Sequence, residues 1–204
     1  MSETFASVSV RTDDHEAVYD LLDDGEAFIS PPILGWVTVF DRQAAEGDLA
    51  RLTEIAARLS GALRCAAIAL MVMQGEVFFY LLFEDGTLQD EYASDPDFFG
   101  EAAPEEREAL RGQPERLLPY AIPGVRADHL RAVLETPSMP AVDRCRALAS
   151  RLGIENATLG FADLAAKAEG ADIEVVGWEL FDYTGGPPFE ELDSHRPDLS
   201  GHSR

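Results

Sequence analysis

Six carboxylates fall within the fifteen positions of EDGTLQDEYASDPDF, residues 84–98, directly after the apolar run VFFYLLF. Carboxylates at that density could ligate a divalent cation or serve as general acid and base. Spacing argues against the cation, because no D-x-D-x-D-G loop with its closing glutamate is present. His15, His129, His195 and His202 lack the paired spacings of zinc sites. There is no G-x-S-x-G elbow, no Walker loop, no G-x-G-x-x-G and no H-E-x-x-H. The single lysine, Lys167, has no glycine-rich loop before it, which disfavours Schiff-base and phosphate-loop chemistry. Neither a metal nor a cofactor is expected, and the chain leans away from being an enzyme.

The elements that must position these carboxylates begin with a hairpin. Asp85-Gly86 is a strong signal for a two-residue type I′ turn. Pairing outward from that turn puts Phe79, Leu81, Phe83, Leu88 and Tyr92 on one face with Asp90 among them. Tyr80, Leu82, Gln89 and Glu91 take the other face. Glu84 and Asp85 flank the turn. Asp95 before Pro96 reads as a helix N-cap, with Asp97 in the first turn. Asp90 alone lacks such an explanation, because an ionised carboxylate on an apolar face needs hydrogen bonds or a cation. We expect it to anchor residues 95–98, with hydrogen bonds holding its folded pKa below the usual carboxylate value. A ligand-contacting role, and a bulge that would turn it to the wet face, are the alternatives. Trp36, Tyr80, Asp90, Tyr92 and Asp97 are the candidate binding residues, and the aromatic ones read equally well as core.

Upstream, FASVSVR alternates as a strand, with Phe5, Ser7 and Ser9 on one side and Ala6, Val8 and Val10 on the other. TDDHEAVYDLLDDG reads as a short helix with Asp13 at the N-cap, Glu16 at capping-box spacing and Gly25 at its end. AFIS and GWVTVF are strands separated by the prolines of PPIL. DLARLTEIAARLSGAL places Leu49, Leu52, Ile55, Ala56, Leu59 and Leu63 on one helical stripe. CAAIALMVM and VFFYLLF lack alternation, so both of their faces should be covered. The order strand, helix, strand, strand, helix, strand predicts an α+β fold, a ferredoxin-like antiparallel sheet extended by a hairpin. EEREAL, RADHLRAVLE, VDRCRALASRLG and FADLAAKAEG follow as helices, and IEVVGWELF as a late strand. The boundaries read as a sheet unit over 1–100, a helical extension over 101–184 and a disordered tail over 185–204.

The balance of charge bounds the partners. Lys plus Arg total 16 against 38 Asp plus Glu, a net charge of −22. Such a chain repels nucleic-acid phosphates and anionic lipid heads, so neither nucleic acid nor membrane is an expected partner, whereas a basic protein is. The longest apolar run, CAAIALMVM, is too short to cross a bilayer, and MSETFASVSV carries no long apolar stretch of a signal peptide. Cys65 and Cys145, each in an apolar pattern, read as free thiols in a reducing cytoplasm.

At Pro31, Pro32, Gly35 and Trp36, and again at Tyr80, Leu82, Gly86, Leu88, Asp90, Tyr92, Pro96, Asp97 and Phe99, the chain resembles an uncharacterised bacterial domain family. The shared pattern is PP and GW, then Y-x-L, G-x-L-x-D-x-Y and PD-x-F. RALASRLGIENATLGF resembles a second block, which extends the similarity over roughly residues 5–165. Members of that family carry a D-S-D triplet before the Y-x-L strand, where this chain has Met73-Gln74-Gly75. The resemblance implies no activity. The expected function is a non-enzymatic acidic protein-interaction module of immunity or regulatory type. The alternatives are a small enzyme or ligand-binding domain with a pocket near Asp90, and an acidic mimic of DNA.

Overall fold

A computed structural model describes residues 4–22, 26–169 and 179–182. Its centre is an antiparallel sheet. Strand β1 spans Phe5–Val10, β2 Glu26–Ile29, β3 Val37–Asp41, β4 Ala66–Met73, β5 Val77–Glu84 and β6 Thr87–Ala93. Helices α1 (His15–Asp20), α2 (Arg42–Ala45) and α3 (Leu49–Leu63) lie within this half of the chain. The spatial order is β6-β5-β4-β1-β3-β2, and β7 (Glu179–Asp182) adds to the β2 edge. The α+β class and the antiparallel sheet are those the sequence predicts. Of the expected late strand over 173–181 only residues 179–181 lie within the described residues, and of the expected tail none does.

Both faces of the sheet are covered, which explains why β4 and β5 do not alternate in polarity. On one face, Ala67, Ala69, Met71, Phe79 and Leu81 meet Leu52, Ile55, Ala56 and Leu59 of α3. That stripe is the helical spacing of an amphipathic segment, and the Asp48 side chain caps its first turn by accepting from the Arg51 N–H at 2.9 Å. On the other face, Ile68, Leu70, Val72, Phe78, Tyr80 and Leu82 meet a second helical layer. This layer comprises α4 (Pro104–Ala109), α5 (Pro114–Leu117), α6 (Ala127–Glu135), α7 (Ala141–Leu152) and α8 (Phe161–Glu169). Buried residues of α6 and α7, among them Leu130, Val133, Cys145, Leu148 and Leu152, do the covering. Leu164 of α8 packs on Phe28 and Phe40. Among the described residues no helix is long and apolar enough to cross a membrane.

Three local expectations need correction. Asp14 rather than Asp13 caps α1, accepting from the Ala17 N–H at 3.0 Å. No helix begins at Pro96. Asp95 instead closes a turn on the Asp97 N–H at 3.0 Å, and Asp97 accepts from the Ala102 N–H at 2.9 Å and from Arg107. The hairpin register also differs. Asp85 and Gly86 both have positive φ, as a type I′ turn requires, and Glu84 faces Thr87 as expected. One residue later a bulge intervenes: Phe83 faces Leu88 but Leu82 faces Asp90, leaving Gln89 as the extra residue. A bulge moves every later side chain to the opposite face. Asp90 and Tyr92 therefore join Tyr80 and Leu82 beneath the second helical layer, not Phe79 and Leu81 beneath α3.

Candidate functional site

Tyr80 and Tyr92 are direct partners on β5 and β6, and their rings stack at 5.5 Å with 13° between planes. Asp90, two positions before Tyr92, shares their face and is only 5% exposed. Its Oδ2 accepts two hydrogen bonds, from the Tyr80 Oη–H at 2.6 Å and from the Gln113 backbone N–H at 2.9 Å. The Gln113 bond identifies what Asp90 anchors. It is the segment entering α5, not residues 95–98 as the sequence suggests. The same segment is tied to β6 by the bridge between Tyr92 and Arg111 and by the Ala93 N–H donating to the Leu110 carbonyl at 3.0 Å. Gly112, at φ 70°, crosses directly over the tyrosine, and a Cβ there would lie 2.4 Å from Tyr80 Oη. Only glycine fits that crossing.

Burial sets the electrostatics of this cluster. Desolvation pushes the Asp90 carboxyl above its usual range, opposed by the bonds from Tyr80, Gln113 and the Glu91 backbone and by the charge of Arg116. The expected downward shift is thus reversed, because the lost hydration outweighs the hydrogen bonds. Tyr80 is held protonated, first by burial and then by the neighbouring Asp90 carboxylate. Tyr92 is also pushed up by burial, although Arg144 opposes the shift. Its hydroxyl donates to the Leu134 carbonyl at 2.8 Å, which also accepts from Arg144 Nη1 at 2.7 Å. Arg144 further donates to the carbonyls of Val133 and Thr136, so this buried guanidinium closes the C-terminal end of α6. Oδ2 of Asp90 and the hydroxyls of both tyrosines are engaged internally. A general base must reach the proton it abstracts, and this oxygen faces protein donors instead.

The two remaining candidates lie elsewhere. Trp36 sits in the same apolar layer as Tyr80 and Tyr92 and is 1% exposed. Its Nε1–H donates to the Leu152 carbonyl at 2.9 Å, Arg11 lies 5.1 Å above its ring and Tyr120 meets it edge-on. It fastens β3 to the end of α7. Asp97 is exposed and paired with Arg107 at 2.9 Å, and the Ala102 N–H and Arg107 hold its carboxyl below the usual range. The structure therefore unites Tyr80, Asp90 and Tyr92 and separates them from Trp36 and Asp97.

Two surface features escape the sequence reading. One is a depression of about 310 Å³ beside Leu34, Ile122 and Ile154. Leu34 is 62% exposed at φ 52° in the two-residue turn between Ile33 and Trp36. The signal for it is the Leu-Gly dipeptide, in which leucine occupies a turn position that favours Asn or Asp. The other is a broad groove of about 1400 Å³ between α4 and α6, floored in part by Tyr92, Leu110 and Leu134. It takes in Tyr92 but neither Asp90 nor Trp36. Cys65 and Cys145 are free, the first half-buried and the second buried, with burial pushing the Cys145 thiol up to about 12. Among the described residues no group of three or more His, Cys, Asp or Glu side chains is placed to hold a metal ion. No protein-family model, no curated protein and no solved structure matches the chain.

Proposed function

We propose that the chain is a non-enzymatic protein-interaction module, of regulatory or immunity type, whose acidic surface takes a basic partner. The observation that carries this reading is the state of Asp90. The most suggestive carboxylate in the sequence is 5% exposed and its Oδ2 is occupied by Tyr80 and Gln113, which suits an internal anchor better than a reacting group. What the chain presents to solvent is its charge, −22 overall, which attracts and orients a positively charged partner. The strand order β4-β1-β3-β2, with α1 and α3 as the crossovers, supports reading the first part as a ferredoxin-like unit that β5 and β6 extend. The helices after residue 100 then serve as an extension that closes its open face.

The test is retention of a partner from native lysate at two salt concentrations. A basic protein should be held at low salt and partly released at high salt, as screening weakens exposed charge pairs. Absence of any retained protein under both conditions overturns the reading.

A further inference from the structure

We propose that the groove between α4 and α6 docks a basic, extended segment of the partner, with apolar side chains set against the groove floor and lysines or arginines against its rim. This inference rests on the interaction reading above and assigns it a surface.

The floor takes in Tyr92, Leu110 and Leu134 together with two prolines, Pro96 and Pro114. Rigid rings and aliphatic edges of this kind offer apolar contact with little side-chain entropy to lose on binding. One wall, α4, is exposed along its whole length and buries none of its own residues. Six residues are too few for a helix to be stable alone. It is tied down through Arg107 to Asp97 at 2.9 Å and, just past its C-terminus, by the Ala93 N–H donating to the Leu110 carbonyl at 3.0 Å. A wall held in this way keeps the groove open without filling it.

The rim supplies the complementarity. Its arginines are already neutralised: Arg107 by Asp97, Arg111 by Glu108 at 3.1 Å, and Arg131 by Glu115 and by Glu135 at 3.9 Å. Arg131 is thus shared between two carboxylates, and Glu105 faces the groove with no ion pair among those found. Along the lining itself four carboxylates, Glu105, Glu108, Glu115 and Glu135, stand against three arginines, 3 − 4 = −1, so the rim keeps unmatched negative charge. An acidic or neutral segment would add repulsion or leave those carboxylates unanswered, whereas a basic one pairs with them at exposed positions where desolvation is small.

The experiment uses the full chain and a fluorescent peptide of alternating lysine and leucine, followed by anisotropy at about 0.15 M salt, where the Debye length is about 8 Å. Glu105→Lys with Glu135→Lys reverses the rim, and Asp20→Lys with Glu46→Lys makes the same change in net charge on α1 and beside α2. We expect the rim pair to weaken peptide binding by about tenfold and the control pair to change it little, since screening confines the effect to nearby charges. Equal weakening by both pairs, or no binding to the wild-type chain, overturns the groove as the site. The same variants separate this inference from the reading beneath it. If the rim-reversed chain still retains the basic protein from lysate, the module remains and the groove assignment falls. If the wild-type chain retains none, the reading itself falls.

Discussion

At the scale of single residues, the opposing forces on Asp90 can be measured. Its folded pKa is raised from 3.8, with desolvation the largest cause. The folded protein therefore binds the proton more tightly than the unfolded chain, and stability is lost as pH rises from the unfolded pKa through the folded one. Below that window the carboxyl is neutral in both states and the penalty is absent. Asp90→Asn removes this pH dependence while its amide oxygen can still accept from Tyr80 and Gln113. Denaturant midpoints of the two proteins should then converge in acid and diverge in favour of Asn at neutral pH. Asp90→Ala instead leaves the Tyr80 hydroxyl and the Gln113 N–H without an acceptor, at a cost of about 2 kcal/mol. That cost should be larger in acid, where the wild-type protein carries no charge penalty. A wild-type midpoint that rises with pH across the window would show that hydrogen bonding, not burial, dominates the site. Gly112→Ala tests the same contact from the other side. Positive φ and a Cβ placed 2.4 Å from Tyr80 Oη should together cost about 3 kcal/mol in an equilibrium melt. An unchanged midpoint would mean that the segment can lift off the tyrosine.

Elements reveal which parts of the fold are legible in the chain. The α3 stripe and the Asp85-Gly86 turn can be read because each depends on local chemistry, a helical period in one case and positive φ at two positions in the other. The bulge at Gln89 cannot, since nothing in TLQDEY distinguishes the extra residue. It follows from Asp90 and Tyr92 meeting Tyr80 and the Leu110–Gln113 segment, contacts that are distant in sequence. The candidate cluster was therefore legible as residues and not as a site: three of five members assemble, because Asp90 and Tyr92 cross to the face on which Tyr80 was expected. Short helices such as α2 and α5, four residues each, carry too little periodicity to be read. Leu34 offers an element-scale test of turn chemistry. Both central residues of its turn have positive φ, which a γ-branched residue adopts at a cost and Asn adopts readily. Leu34→Asn should stabilise the hairpin by about 0.5–1 kcal/mol, visible as a higher denaturant midpoint. A lower midpoint would show that packing of the Leu34 side chain over Gly153 outweighs the strained backbone.

For the whole molecule, the arrangement of layers decides whether the sheet and the later helices behave as one body. The sheet buries both faces, and among the described residues the helices over its second face all come after residue 100. Trp36, Ile68, Leu70, Phe78, Tyr80 and Leu82 all point to that layer and are 1% exposed or less. Uncovering large apolar side chains costs about 1.5–3 kcal/mol each, so losing the cover from these six would cost about 10 kcal/mol, comparable with the stability of an entire domain. The connection between the two parts has the opposite character, for α4 is exposed throughout and buries none of its side chains. Within the described residues, a protease should therefore cut first near residues 101–109 without separating the pieces. The nicked protein is expected to elute at its uncut size on a native column and to show both fragments only in denaturant. Its unfolding should remain a single transition by tryptophan fluorescence and by far-UV circular dichroism, because Trp36 is fastened to Leu152 across the interface. Fragments that part on the native column would mean that the helical layer packs too loosely to complete the core.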